Sequence, residues 1–202
     1  MRSQGRAQAK RAPIRLVPSG IRNKVRIIGG EWRSRVIRFT PVPGLRPTPD
    51  RVRETLFNWL GQDLSGRDCL DLFAGSGALG FEAASRGART TVLVERDRAA
   101  WRSLEDNAAR LGATGVQVVC ADAFAHLLAE RRIFDVVFLD PPFGENLLPR
   151  LLPLLPPRLA AQADVYVECA RLPPLPPGCS VWRQGRAGKV EYALLRFHEP
   201  TP

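Results

Sequence analysis

No apolar run in this chain approaches the ~20 residues a membrane-spanning helix requires. Pro149, Pro153, Pro156 and Pro157 break up its most leucine-rich stretch, 147–159. Residues for metal or disulfide chemistry are also scarce. The four cysteines (Cys69, Cys120, Cys169 and Cys179) contain no Cys-x-x-Cys pair, and only two histidines, His126 and His198, accompany them. This excludes the usual zinc spacings and points to buried free thiols in a reducing cytoplasm. Acids are nearly missing from one end. Residues 1–53 hold 14 Lys and Arg against 2 Asp and Glu, whereas the remainder holds 16 against 18. The formal charge of +10 therefore belongs to the N-terminal quarter, and a concentrated positive patch is the footprint of a polyanionic partner. No internal repeat is visible, and no segment is large enough for a separate DNA target-recognition domain.

The 202 residues, 45% of them hydrophobic, suit one globular domain with a small appendage. Residues 1–23 are rich in Arg, Gln, Ser and Pro, a composition expected to be a disordered basic arm. It suits an RNA contact, a targeting sequence or a solvated tail, and Pro13 and Pro18 interrupt any amphipathic helix. Residues 24–45 read as a basic β-hairpin with strands at 25–28 and 36–39 joined through Gly29-Gly30. It carries Arg26, Trp32, Arg33, Arg35 and Arg38. Guanidinium groups interleaved with an aromatic ring suit phosphate contact and base stacking; an exposed charged hairpin is the alternative.

Residues 46–202 read as the main domain. Thr48 is placed to cap a helix with Pro49 at its first position. Val52, Leu56, Trp59 and Leu60 form its apolar stripe, and Gly61 ends it. From residue 67 strands and helices alternate. Strands are expected at 69–73, 91–95, 116–120, 134–139 and 165–168, and helices at 78–86, 98–111 and 124–131. Two further strands, 180–183 and 190–197, form a C-terminal antiparallel hairpin. The pattern is that of an α/β fold with a mostly parallel seven-stranded sheet covered by helices on both faces.

The chemistry-bearing residues gather at strand ends. Asp140-Pro141-Pro142-Phe143 closes the apolar run 134–139. The two prolines fix φ and stiffen the exit from the sheet. Asp140 and the Pro141 carbonyl then form a rigid pair of acceptors, and Phe143 supplies a flat face, which suits a planar ring carrying an exocyclic amine. Asp71-Leu72-Phe73-Ala74-Gly75-Ser76-Gly77 leaves the first strand of the main domain, and Gly80 follows in the helix. The glycine spacing fits a dinucleotide or S-adenosylmethionine equally well. Glu95 can grip ribose hydroxyls of either. Asp71 favours the second, because a carboxylate there suits an ammonium group and would repel a pyrophosphate. Asp122 either accepts from an adenine amine, with Ala123 or Phe124 against the ring, or caps a helix. Asp71, Glu95, Asp122 and Asp140 all fall at C-terminal strand ends, the edge where open α/β sheets bind ligands.

With these residues assembled, the chain resembles the Rossmann-like class I S-adenosylmethionine-dependent methyltransferases. More narrowly, it resembles the bacterial family that methylates N2 of guanine 966 in 16S rRNA. The matching segments are Arg26-Ile27-Ile28-Gly29-Gly30-Glu31-Trp32-Arg33, Arg46-Pro47-Thr48 through Trp59, the Asp71–Gly77 run and Asp140–Phe143. The resemblance implies methyl transfer to a guanine N2 in 16S rRNA or the small ribosomal subunit by a cytoplasmic monomer. It implies S-adenosylmethionine as methyl donor, S-adenosylhomocysteine as product, and neither metal nor membrane. Asp140, Pro141 and Phe143 would act on the base. Asp71, Phe73, Ala74, Gly75, Gly77, Glu95, Arg96, Asp122, Ala123 and Thr48 would hold the cofactor. Arg26, Trp32, Arg33, Arg35, Arg38 and Arg46 would contact RNA. A DNA adenine-N6 or cytosine-N4 methyltransferase, a nicotinamide-dependent oxidoreductase and a non-catalytic RNA-binding assembly factor are the competing readings.

Overall fold

The computed structural model describes residues 23–42 and 46–198. All of the basic arm but Asn23 therefore lies outside the described residues, as does part of the 24–45 unit. Strands β1 (Lys24–Arg26) and β2 (Val36–Arg38) pair as a short antiparallel hairpin. Helix α1 (Asp50–Leu60) follows. Then β3 (Asp68–Asp71), α2 (Ala78–Ser85), β4 (Thr90–Glu95), α3 (Arg98–Leu111), β5 (Val116–Cys120), α4 (Ala123–Ala129) and β6 (Phe134–Leu139) alternate. One helical turn, α5 (Leu148–Leu151), and two 3₁₀ turns lead to β7 (Leu159–Cys169), β8 (Cys179–Ala187) and β9 (Val190–Phe197). The proline-dense stretch is thus helical only in single turns, because each proline removes a backbone donor that a longer helix needs.

The sheet order is β5-β4-β3-β6-β7-β9-β8. The first five strands are parallel, and β9 and β8 join antiparallel to β7 and to each other. Period-two alternation divides the strand side chains between two cores. Leu70, Val92, Val137, Leu139 and Val167 face α4 and α5. Cys69, Val136, Phe138, Tyr166 and Tyr192 face the other way, against Leu56 and Phe57 of α1 and Leu79 of α2. The same alternation puts Asp71, Asp140 and Glu168 on the α1 side. Val167 lies opposite Leu139, so Glu168 stands level with Asp140.

The basic hairpin is seated on this core. Val25, Ile27, Trp32 and Ile37 are buried with Phe81, Leu93 and Leu104. The seat is the Glu82 carboxylate, fully buried in α2. It accepts from the Ile28 and Gly29 N–H groups at 2.9 and 2.8 Å, and from Arg53 at 3.1 Å and Arg86 at 2.9 Å. Arg53, itself fully buried, also donates to the Arg26 carbonyl (2.9 Å) and Asp50 (2.7 Å). Gly30 has φ +73°, and a Cβ there would sit 1.8 Å from the Ser85 carbonyl oxygen. The Gly29-Gly30 pair thus permits contact between the turn and the end of α2.

The expected free-thiol state holds for all four cysteines, but uniform burial does not: Cys69 is buried, Cys169 and Cys179 are half-buried, and Cys120 is exposed. Cys120 ends a strand at the sheet's edge, where one flank has no neighbour.

Candidate active site

A cleft of about 750 Å³ opens along the C-terminal ends of β3, β4, β5 and β6. Asp71, Phe73, Ala74, Gly75, Glu95, Arg96, Asp122, Ala123, Asp140, Pro141, Phe143, Arg46 and Thr48 line it together. Of the residues read from the sequence as cofactor- or base-contacting, only Gly77 stands behind the wall. It has φ +79°, and a Cβ there would meet the Phe81 ring at 2.5 Å, so it shapes the turn rather than the surface.

Asp71 is 2% exposed and accepts from the N–H groups of Phe73 (3.3 Å) and Gly80 (3.2 Å). Burial pushes its pKa up to about 7, with Glu95 and Glu168 adding like charge. Among the described residues, no cation pairs with it within 4.0 Å. A buried acid with no counter-charge holds its proton to higher pH, and a cation brought to its face on the cleft would favour the ionised form. Glu95 accepts from Gly75 N–H (2.9 Å) and Asp97 N–H (2.7 Å), which ties the glycine turn to the start of α3. Asp122 is the N-cap of α4: one carboxylate oxygen accepts from Phe124 and Ala125 N–H at 2.9 and 3.1 Å. The capping alternative is therefore realised, and the second oxygen remains for a ligand. Arg96 spans the cleft mouth to Glu145 at 2.9 Å.

Asp140 lies at the inner end. Burial, then the charges of Glu168 and Asp71, raise its pKa well above the ordinary carboxylate value. Thr48 corrects the sequence expectation. It does not cap α1; the N-cap is Pro49, with no side-chain bond. The Thr48 hydroxyl is buried and turned to Asp140, donating at 3.4 Å. Pro49, with ψ 148°, turns the chain into α1, and its carbonyl accepts from Val52 and Arg53 N–H. Phe143 is 54% exposed and lines the same cleft as Asp140.

Glu168 was not singled out from the sequence. It is 4% exposed, accepts from the Tyr166 hydroxyl at 2.9 Å, and its pKa is raised by burial while Thr48 and Tyr166 pull it back. The signal was present: Val165-Tyr166-Val167-Glu168 is another apolar strand closed by an acid, as 134–140 is.

The hairpin side chains are more divided. Arg26, Arg33, Arg35, Arg38 and Arg46 are exposed. Arg26 reaches Asp50 at 3.7 Å, and Arg35 caps the C-terminus of α3 by donating to Arg110 and Leu111 carbonyls at 2.6 and 3.4 Å. Trp32 is 8% exposed and packed among Phe81 and Leu104, so it offers no free face for a base. Its expected stacking role does not fit this placement, because the ring is needed to anchor the hairpin.

The mostly parallel sheet, with a ligand cleft across its β3 and β4 ends, has the fold of a class I S-adenosylmethionine-dependent methyltransferase, as the relatives below show. The chain belongs to the family described as "Conserved hypothetical protein 95", whose model matches residues 25–196. It is 46% identical over 178 residues to ribosomal RNA small subunit methyltransferase D of Escherichia coli strain K12, covering 86% of this chain and 90% of that protein. The solved structure of the Escherichia coli protein yhhF superposes with a TM-score of 0.78 at 47% identity, covering 87% of this chain and 98% of the other. An RNA methyltransferase from Salinibacter ruber, solved with S-adenosyl-L-homocysteine, shares the fold at 21% identity and a TM-score of 0.62, over 78% of this chain and 97% of that one.

Proposed function

We propose that this enzyme transfers a methyl group from S-adenosylmethionine to the exocyclic N2 amine of a guanine in 16S rRNA, acting as a cytoplasmic monomer on rRNA or the small subunit. The observation that carries the reading is Asp140, a carboxylate with no cationic partner among the described residues, set between the cofactor cleft and the exposed Phe143 ring. The relatives' names support rRNA as substrate; guanine N2 rests on the family resemblance and on the acceptor pair.

S-adenosylmethionine, when bound, supplies an electrophilic methyl carbon on a sulfonium. The residues present fit it. Asp71 would take the ammonium, Glu95 the ribose hydroxyls, and the free oxygen of Asp122 the adenine amine. Phe73, Ala74, Gly75, Arg96 and Ala123 would border it. Phe143 would hold an unstacked base by its face. Asp140 and the Pro141 carbonyl would accept from the two N–H bonds of the amine. That orients the nitrogen lone pair, otherwise conjugated into the ring, toward the methyl carbon. Transfer would break the methyl–sulfur bond, whose electron pair stays on S-adenosylhomocysteine, and form the N–C bond; Asp140 would receive the proton that the amine nitrogen then loses. This is catalysis by positioning and by fixed charge, with no covalent enzyme intermediate.

The cluster also sets a pH dependence. An ammonium needs ionised Asp71, whose pKa in the ligand-free protein is about 7. Below that value, each cation bound must release a proton. Affinity for S-adenosylhomocysteine, which keeps the ammonium, should therefore fall toward about tenfold per pH unit below 7 and level off above it. In the ligand-free protein the sign for stability is opposite. The folded state holds this proton at pH values where the unfolded carboxyl has lost it, so Asp71 contributes less stability as pH rises from ~4 to 7. Calorimetric titration from pH 5.5 to 8 checks this, with Asp71→Asn expected to remove most of the slope. A flat wild-type profile would place the ammonium elsewhere.

The functional reading is tested by supplying tritiated S-adenosylmethionine with 16S rRNA or small subunits from cells lacking the protein, then mapping the label by mass. Labelled N2-methylguanine is expected. Label in duplex DNA and none in rRNA would reject it.

A further inference from the structure

Residues 185–190, at the β8–β9 turn, serve no part of the cleft described above. Their place follows from strand register. Asp140 stands level with Glu168; Glu168 pairs with Tyr192, and Tyr192 with Gly185. The four residues form one row across the sheet. At ~4.8 Å between strands, that row carries β8 about 14 Å from Asp140, on the side away from the cofactor. The chain continues past the row, so Arg186 and Lys189 project beyond the same sheet edge as the reacting corner. The row is tightly set: a Cβ at Gly185 would meet the Tyr192 hydroxyl at 2.5 Å, and Tyr192 packs on Trp59 with ring centroids 5.5 Å apart. Arg171, just past the end of β7, lies between this tip and Asp140 in strand order.

Arg171, Arg186 and Lys189 are exposed. Among the described residues none forms an ion pair within 4.0 Å. The acid across from Arg186 is Glu191, and it is directed instead to the Leu172 N–H at 2.9 Å. Glu168, within the row, is buried. The edge beyond Asp140 therefore carries three exposed cations, Arg171, Arg186 and Lys189, against the one half-buried carboxylate of Glu191. Arg186 stands on β8, Lys189 on the turn that joins it to β9, and Arg171 on the bend after β7.

We propose that the β8–β9 tip, with Arg171, is an RNA-docking surface that holds the phosphates of the strand flanking the target guanine. This deepens the reading above and rests on it. The basic hairpin β1–β2 sits on α2 and α3 on the cofactor side of the molecule. The β8–β9 tip lies on the opposite flank of Asp140. A strand held only on the first side could pivot about the flipped base. A second phosphate contact about 14 Å away fixes its direction across the corner. Lys189 is the only lysine among residues 25–202, and a flexible ammonium suits a phosphate as a point charge.

The test is steady-state methyl transfer to small subunits with wild type, R186A/K189A and the control R131A. Arg131 is exposed and follows α4 at the opposite end of the sheet. The double variant is expected to raise KM for the subunit about tenfold, with kcat and S-adenosylhomocysteine affinity unchanged. Its salt slope for rRNA binding should be shallower by roughly 1.5, the loss of two phosphate contacts. R131A should match wild type in each. Unchanged KM and salt slope in R186A/K189A would overturn the proposal. So would an equal effect from R131A, which would mean a general loss of charge. Should wild type fail to methylate rRNA, the functional reading falls. The salt-slope comparison on rRNA binding still decides the docking surface by itself.

Discussion

Asp140→Ala is expected to lower kcat for methyl transfer by at least about a hundredfold while leaving cofactor affinity within a few-fold. The scale is that of removing one preorganised hydrogen-bond partner from a reacting centre, ~10²–10³ in kcat. The expectation follows from where the carboxylate sits. It follows the end of β6, the strand beside β3, and neither of its oxygens takes a backbone N–H; Thr48 is its one hydrogen-bond partner among the described residues. Removing it also relieves like-charge repulsion on Asp71, so cofactor affinity has no reason to collapse. Asp140→Asn keeps one acceptor oxygen but loses the charge and the site for the proton that the amine gives up, so a smaller fall than for alanine is expected. Single-turnover assays with saturating cofactor, alongside binding isotherms, separate the two effects. Near-normal turnover by Asp140→Ala would remove this residue from the chemistry and leave the Pro141 carbonyl as the sole acceptor.

Glu82→Ala is expected to cost about 3–5 kcal/mol of folding stability, the range for leaving buried charge without its partner. One carboxylate, fully buried, receives two guanidinium groups and two backbone N–H groups. Alanine would leave Arg53 buried with Asp50 as its remaining counter-charge, and Arg86 against the Phe57 ring, 4.7 Å from its centroid. For a chain of this size the loss corresponds to a fall in Tm of about 6–20 °C. Thermal unfolding by circular dichroism checks it. A shift of less than about 2 °C would mean that water satisfies the guanidinium groups. The hairpin should also loosen, because Ile28 and Gly29 lose their acceptor. Faster amide exchange at those two positions would separate this effect from global unfolding.

These two acids differ in how visible they were beforehand. Asp140 was legible because its neighbours advertise it: an apolar run before it, and two prolines and an aromatic after it. Glu82 sits inside a helix whose other members are Ala, Gly, Leu, Phe and Ser, and nothing adjacent marks it. Its partners are 53 and 54 residues away in Gly29 and Ile28. The Arg26–Arg33 segment read as an RNA contact partly for this reason. Its arginines and tryptophan suggest a nucleic-acid surface, yet Trp32, Ile27, Gly29 and Gly30 anchor the hairpin to α2. Its exposed arginines still face solvent, so the segment combines attachment with charge. Thr48 is the same kind of case. Beside Pro49 it has the local form of a helix cap, but its hydroxyl is directed to Asp140, 92 residues on.

By itself the sequence determined what depends on neighbours along the chain. Apolar runs alternating with helical stretches specified the buried strands, and α3, β5, β6 and β9 fall at the expected residues. The acids closing successive strands specified a ligand edge, because parallel strands present all their C-terminal ends on one side. Only the tertiary structure decided what depends on residues far apart in the chain meeting in space. It gave Glu168 a place level with Asp140 through strand register, and Thr48 its acid. It gave Arg53 and Arg86 their shared carboxylate. Burial then did what no pattern of residues specifies: it removed water from Asp71, Asp140 and Glu168 together, so that the proton affinity of each of three ordinary carboxylates is raised.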